Sequence, residues 1–233
     1  MTTTEPTPPP APPTHRLFID RHVIVALEGA DAVGKNAHAA RLVEHLKGLC
    51  PVGLASFQHA PPPRPSATLV ERAVWYATRR AILGESVACA QVPMLVVSNR
   101  WWWSTTMLGS FQSEVLPIAE AEEVAWKATP AVPVVTILLD APDEVLDARI
   151  AARAREGKAS AIDSDARQPT LRLAYRAAAG LGGWPVVSTE GDFDAAALRV
   201  LRVTIGVLIA AGHARLVALP AAPFAPPADA PAQ

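Results

Sequence analysis

Between an apolar run, HVIVALEG, and a helical pattern, KNAHAARLVEHLKGL, the chain places Gly29, Ala30, Asp31, Ala32, Val33, Gly34 and Lys35. These residues satisfy G-x-x-x-x-G-K in the setting that gives the pattern meaning, a strand before it and a helix after it. Glycine lets the backbone close around phosphate oxygens. A helix opening near Gly34 aims unpaired N–H groups and the positive end of its dipole at those oxygens, and Lys35 adds a mobile charge for a transferring phosphoryl group. On this reading Gly29, Ala32, Val33, Gly34, Lys35, Asn36 and Ala37 form the cradle for the phosphates of ATP. The competing reading is a glycine-containing strand-to-helix turn with a surface lysine. Asn36 stands where such a loop normally offers a serine or threonine hydroxyl to magnesium.

The rest of the chain repeats the strand-then-helix order. HVIVALEG, GLASFQ, MLVVSNR, VVTILLD and PVVST read as five strands, none alternating cleanly between polar and apolar, as suits parallel strands covered on both faces. KNAHAARLVEHLKGL, SATLVERAVWYATRRAIL, SEVLPIAEAEEVAWKA, PDEVLDARIAARAR, TLRLAYRAAAGL and DAAALRVLRVTIGVLIAAG have helical spacing. The expected fold is α/β, a five-stranded parallel sheet with crossover helices on both faces. Of 23 prolines, six precede Leu17 and five follow Leu219, so residues 1–16 and 219–233 are expected to be disordered tails around a single domain over 17–218.

Composition narrows the function classes. Lys and Arg number 21 against 22 Asp and Glu, a formal net charge of −1, which makes nucleic acid an unlikely partner and gives no drive toward anionic membranes. Two cysteines, Cys50 and Cys89, without CxxC or Cys/His spacing, read as small hydrophobes rather than a disulfide framework or a zinc site. The proline-rich start lacks the continuous apolar core of a secretory signal, and VTIGVLIAAG is too short to span a bilayer and reads as a buried amphipathic helix. A cytoplasmic location is the default expectation.

VIVALEGADAVGKNAHAARLVEHL resembles the opening of the thymidylate kinases, P-loop nucleoside monophosphate kinases that read EGxDGxGK, and Asp31 matches the acidic residue inside their loop. The resemblance continues along most of the domain. FQH places Phe57 where the family has Phe-Pro-Arg. Tyr76 and Arg80 match a helical aromatic followed four positions later by arginine, and i, i+4 residues share a helix face. In LVVSNRWWWSTTMLGS, Asn99, Arg100, Trp101 and Ser104 match the family's Asp-Arg-Tyr and the serine beyond it, while Met107, Leu108 and Gly109 depart from the stretch used near thymine. VVTILLDAPDEVLDARIAARAREGKA resembles the strand and helix leading to a short lid, with Arg149, Arg153, Arg155 and Lys158 as lid cations.

The resemblance implies a P-loop kinase fold and transfer of the γ-phosphoryl group of ATP to a deoxypyrimidine monophosphate such as dTMP. Lys35, Asp31, Arg100 and Arg153 would be catalytic; Phe57, Tyr76, Arg80, Asn99, Arg100 and Ser104 would hold the acceptor. Mg2+ would accompany ATP, ligated weakly by Asn36 and through water by Asp31, with Glu28 a further oxygen donor. A homodimer through helices beside the sheet is implied by the same analogy. Asn36, Ala37 and Asn99 keep two alternatives open: a kinase acting on a modified pyrimidine or its hydroxyl within DNA, and a nucleotide-binding pseudokinase.

Overall fold

The computed structural model describes residues 15–55, 68–104, 132–158 and 168–218. Along the chain these form β1 (His15–Ile19), β2 (Val23–Glu28), α1 (Lys35–Lys47), β3 (Val52–Ala55), α2 (Leu69–Ala88), β4 (Leu95–Ser98), β5 (Val134–Asp140), α3 (Asp143–Arg155), α4 (Gln168–Gly182), β6 (Val186–Ser188), α5 (Phe193–Ala210) and β7 (Ala214–Ala218). The five expected strands are all present. They form one parallel sheet in the order β3-β4-β2-β5-β6. The expected helix over 113–128, Phe57, Met107 to Gly109 and the greater part of both tails lie outside the described residues.

β2 is the central strand of the sheet, and every one of its residues is buried. Val23, Val25 and Leu27 face a cluster that includes Ala39, Leu42 and Leu46 of α1 and Val200 and Leu208 of α5. Ile24 and Ala26 face the other way, against Val87 of α2, Val96 and Trp101. Leu138 of β5 meets Leu171, Tyr175 and Ala179 of α4. Helices therefore cover both faces. α1 buries Lys35, His38, Ala39, Leu42, Val43 and Leu46, the i, i+3, i+4 stripe of a helix lying on a core. α2 starts from a capping box in which Thr68 Oγ1 accepts from Glu71 N–H and the Glu71 carboxylate accepts from Thr68 N–H at 2.7 Å.

Two findings differ from expectation. β1 and β7 pair antiparallel as a separate two-stranded sheet, with His15 opposite Ala218 and Ile19 opposite Ala214. The five expected strands do not include this pair, and His15 and Arg16 of β1 lie in the stretch expected to be a tail. Leu17 N–H donates to Leu49 O at 3.0 Å, which ties this sheet to the end of α1, and an Arg215–Asp20 ion pair at 3.0 Å links β7 to the residue just after β1. Cys50 is buried as expected, but Cys89 is exposed at the C-terminal end of α2. The apolar 203–212 segment lies within and just beyond α5, and among the described residues no helix is long and apolar enough to cross a membrane.

Candidate active site

Four of the five parallel strands end on a polar residue: Glu28 on β2, Ser98 on β4, Asp140 on β5 and Ser188 on β6. β2 has β4 on one side and β5 on the other, so the loop leaving it opens at the point where the strand order reverses, the usual place for a ligand in an open α/β sheet. That loop is 29–34. Gly29 adopts φ 144°, and a Cβ there would sit 2.4 Å from Leu139 O, so no other residue fits. Gly34 caps α1 in the left-handed region without a side-chain cap, and the first turn of α1 holds no acidic residue. The N–H groups and positive dipole end of α1 are thus left open, as an anion site requires. Ala32 also lies in the left-handed region, φ 67°, alone among described non-glycine residues.

Lys35 is buried, and its Nζ donates to Gly29 O at 2.7 Å and Ala30 O at 2.6 Å, with Asp31 Oδ1 at 4.0 Å. Burial and then the charge of Arg100, with a further push from Arg153, lower its pKa to about 7 against the opposing pull of Asp31 and Glu28. Asp31 is the meeting point of the loop. Arg100 Nη2 donates to its Oδ1 at 3.0 Å, and Gln168 Nε2 to its Oδ2 at 3.5 Å. Burial pushes its carboxyl up, but Lys35 and Arg100 outweigh that and hold it below the ordinary aspartate value. Arg100 also reaches Ser104 Oγ at 3.4 Å.

Glu28 is a correction. It is 0% exposed, and its carboxylate accepts from Trp101 N–H at 2.8 Å, Ser104 N–H at 3.3 Å and Ser104 Oγ–H at 2.5 Å. It is therefore an anchor for the 101–104 segment rather than an oxygen donor to a metal. Ser104 receives Tyr175 O–H at 3.2 Å as well. Arg80 is buried with Nη1 3.5 Å from Trp101 O, so it backs this segment; Tyr76 is half-buried and meets Trp75 edge-on. Trp101 is core, and Trp102, Trp103 and Trp184 form an edge-to-face chain.

Asn36 and Asn99 come together: Asn99 Nδ2 donates to Asn36 Oδ1 at 2.5 Å, tying the start of α1 to the end of β4. The lid cations separate. Arg149 donates to Ala32 O at 3.3 Å, Thr189 Oγ1 at 3.2 Å and Thr189 O at 2.6 Å, joining the phosphate loop to the loop after β6. Arg153, one turn on, is half-buried and near enough to Lys35 to affect its charge. Arg155 is exposed, and Lys158 is exposed and paired with Glu156 at 2.9 Å. Val33 is buried and Ala37 exposed in the first turn of the loop-helix junction. Gln168, Tyr175 and Thr189 are site residues that sequence reasoning missed. Arg176 is another, clasping Asp140 at 2.8 Å and Asp143 at 2.9 Å so that α4 holds the root of α3.

No protein-family model matches the chain, and no curated protein does. Among solved structures it is similar to the crystal structure of thymidylate kinase from Ehrlichia chaffeensis, with 13% identity, a TM-score of 0.54, and coverage of 79% of this chain and 99% of that one. At such identity the likeness is one of fold: the chain has the P-loop kinase fold of thymidylate kinase.

Proposed function

We propose that the chain is a nucleoside monophosphate kinase that transfers the γ-phosphoryl group of ATP to a deoxypyrimidine monophosphate such as dTMP. The observation that carries this reading is the junction at Asp31, where Lys35 of the phosphate loop and Arg100 from the end of β4 meet one carboxylate at 4.0 and 3.0 Å. Two cations, one at the start of α1 and one just beyond β4, converge on one spot. That is what joining a donor phosphate to an acceptor phosphate needs, since phosphoryl transfer depends on positioning and charge rather than on a covalent nucleophile.

In this reading the loop N–H groups and the open end of α1 hold the donor phosphates, and Lys35 leaves the Gly29 and Ala30 carbonyls to meet the transferring group. Arg100 presents a planar fork to the acceptor phosphate, for which guanidinium geometry is suited. Asp31 orients both cations. Arg153 adds charge over the same centre, and Arg149 fixes the lid helix to the phosphate loop. Magnesium, arriving on ATP, would neutralise charge on the phosphates. The carboxylates near it are already engaged, Glu28 by Trp101 and Ser104 and Asp31 by Arg100, so they are poorly disposed to ligate the ion directly.

The test is coupled detection of the nucleoside diphosphate and ADP with a panel of nucleoside monophosphates. Turnover is expected with a deoxypyrimidine monophosphate. Phosphoryl transfer to none of them, with ATP binding intact, would overturn the kinase reading in favour of a nucleotide-binding module, and transfer only to a modified pyrimidine hydroxyl in DNA would move the acceptor.

A further inference from the structure

We infer that the phosphate loop of this chain binds ATP without a divalent cation bridging nucleotide to protein, so that magnesium does not tighten binding. The inference rests on the nucleotide-binding reading above and goes beyond it.

It starts from the Asn36–Asn99 pair. A phosphate loop ordinarily links its metal to the chain through a hydroxyl at the position of Asn36. Here that position carries an amide whose oxygen already accepts from Asn99 Nδ2. Asn99 is 2% exposed, and its own Oδ1 is buried with no partner: an uncharged oxygen below the surface. Magnesium demands near-octahedral oxygen ligands and sheds water reluctantly, so one amide oxygen already engaged by Asn99 and another that is buried make a poor ligand pair.

The carboxylates around the pair are no better placed. Glu28 is enclosed and saturated by Trp101 and Ser104. Asp31 is held by Arg100 and Gln168 beside Lys35. At the neighbouring strand end, Asp140 and Asp143 are held by Arg176, and Asp147 by Arg172 at 2.7 Å.

The cations run the other way. Lys35, Arg100 and Arg153 are close enough that the two guanidinium groups lower the lysine's affinity for its proton, and Arg149 bonds to the loop itself. Such a cluster supplies the positive charge that a metal would otherwise bring. Linkage then decides the outcome. A metal strengthens nucleotide binding only if the bound nucleotide holds it more tightly than free nucleotide does. With no protein ligand there is no such difference, and a crowd of cations favours the more highly charged, metal-free nucleotide.

The experiment is calorimetric titration of the full chain with ATP at matched ionic strength, once in excess EDTA and once in excess magnesium. Equal or weaker binding in magnesium is expected. A tightening of more than about threefold would overturn the inference while leaving the kinase reading standing, whereas absence of binding under both conditions would overturn both. The double variant Asn36→Thr, Asn99→Asp restores a hydroxyl and a carboxylate, and magnesium should tighten its ATP binding by about tenfold. A folded double variant that stays indifferent to magnesium would show that the amide pair is not the cause. If that variant does not fold, the wild-type titration decides.

Discussion

Ser104 donates to both carboxylate oxygens of Glu28, from its backbone N–H to one and from its hydroxyl to the other, across 76 residues of chain. With Trp101 N–H added, one buried carboxylate anchors the segment that immediately follows Arg100 to the end of the central strand. Glu28→Ala removes both acceptor oxygens, and with them three hydrogen bonds, and leaves two buried backbone donors unsatisfied, a loss of about 2–4 kcal/mol of stability. Urea denaturation checks it. A change below about 0.5 kcal/mol would mean that the segment is anchored elsewhere.

Arg100→Lys tests the fork. Lysine keeps the charge but cannot reach Asp31 and Ser104 together, as the two guanidinium nitrogens do. The KM for the monophosphate should rise about tenfold while that for ATP moves less than about threefold, and steady-state kinetics with each substrate varied in turn reads the split. Equal rises would place Arg100 with the donor, as its bond to the phosphate loop at Asp31 would then require.

Lys35 makes stability depend on pH. Its folded-state pKa is about 7 against an ordinary 10.5, so between those values the unfolded chain binds more protons than the folded one. Stability contributed by this group therefore rises with pH from about 7 upward and is flat below, where both states are protonated. Subtracting the urea midpoints of Lys35→Met from those of wild type across pH 6.5 to 10, approximate bounds set by that window, isolates the slope. A difference that does not change with pH would contradict the burial and charge crowding assigned to the lysine. Inorganic triphosphate should flatten the slope by restoring the lysine's proton.

Ala32 is left-handed, a conformation that costs an L-residue about 1–2 kcal/mol. Ala32→Gly should be neutral or stabilising, although glycine elsewhere loses about 0.5–1 kcal/mol to chain entropy. Ala32→Val, with a branched Cβ, should destabilise by more than about 1 kcal/mol. Thermal melts of both variants give the answer, and a destabilised glycine variant would argue against the strained turn.

Much of the fold was legible because the buried sheet writes its pattern into the chain. HVIVALEG can only be an interior strand beside a helix whose buried stripe runs Lys35, His38, Leu42 and Leu46. β1 and β7 left no such mark: Leu17 and Ala214 are the buried residues of two five-residue strands, too few to set a period. In the site, motif spacing pointed to Lys35, and Asp31 and Arg100 came only through the resemblance to thymidylate kinases; the structure brings the three side chains together. Gln168 and Tyr175 were not readable, since they sit seven apart on the buried stripe of α4, where a polar tip looks like core. Glu28 was misread because sequence shows a carboxylate next to a phosphate loop and not the N–H groups that occupy it. Arg80 illustrates the limit of i, i+4 logic, for the spacing sets a shared face but not whether that face meets ligand or backbone.

The small β1–β7 sheet sets His15 directly opposite Ala218, so the two ends of the described domain lie side by side on adjacent antiparallel strands. A force pulling those ends apart loads the inter-strand hydrogen bonds one after another, like a zipper, instead of shearing them together. Tension applied at these ends therefore meets the β1–β7 ribbon first, while the phosphate loop leaves the opposite end of β2.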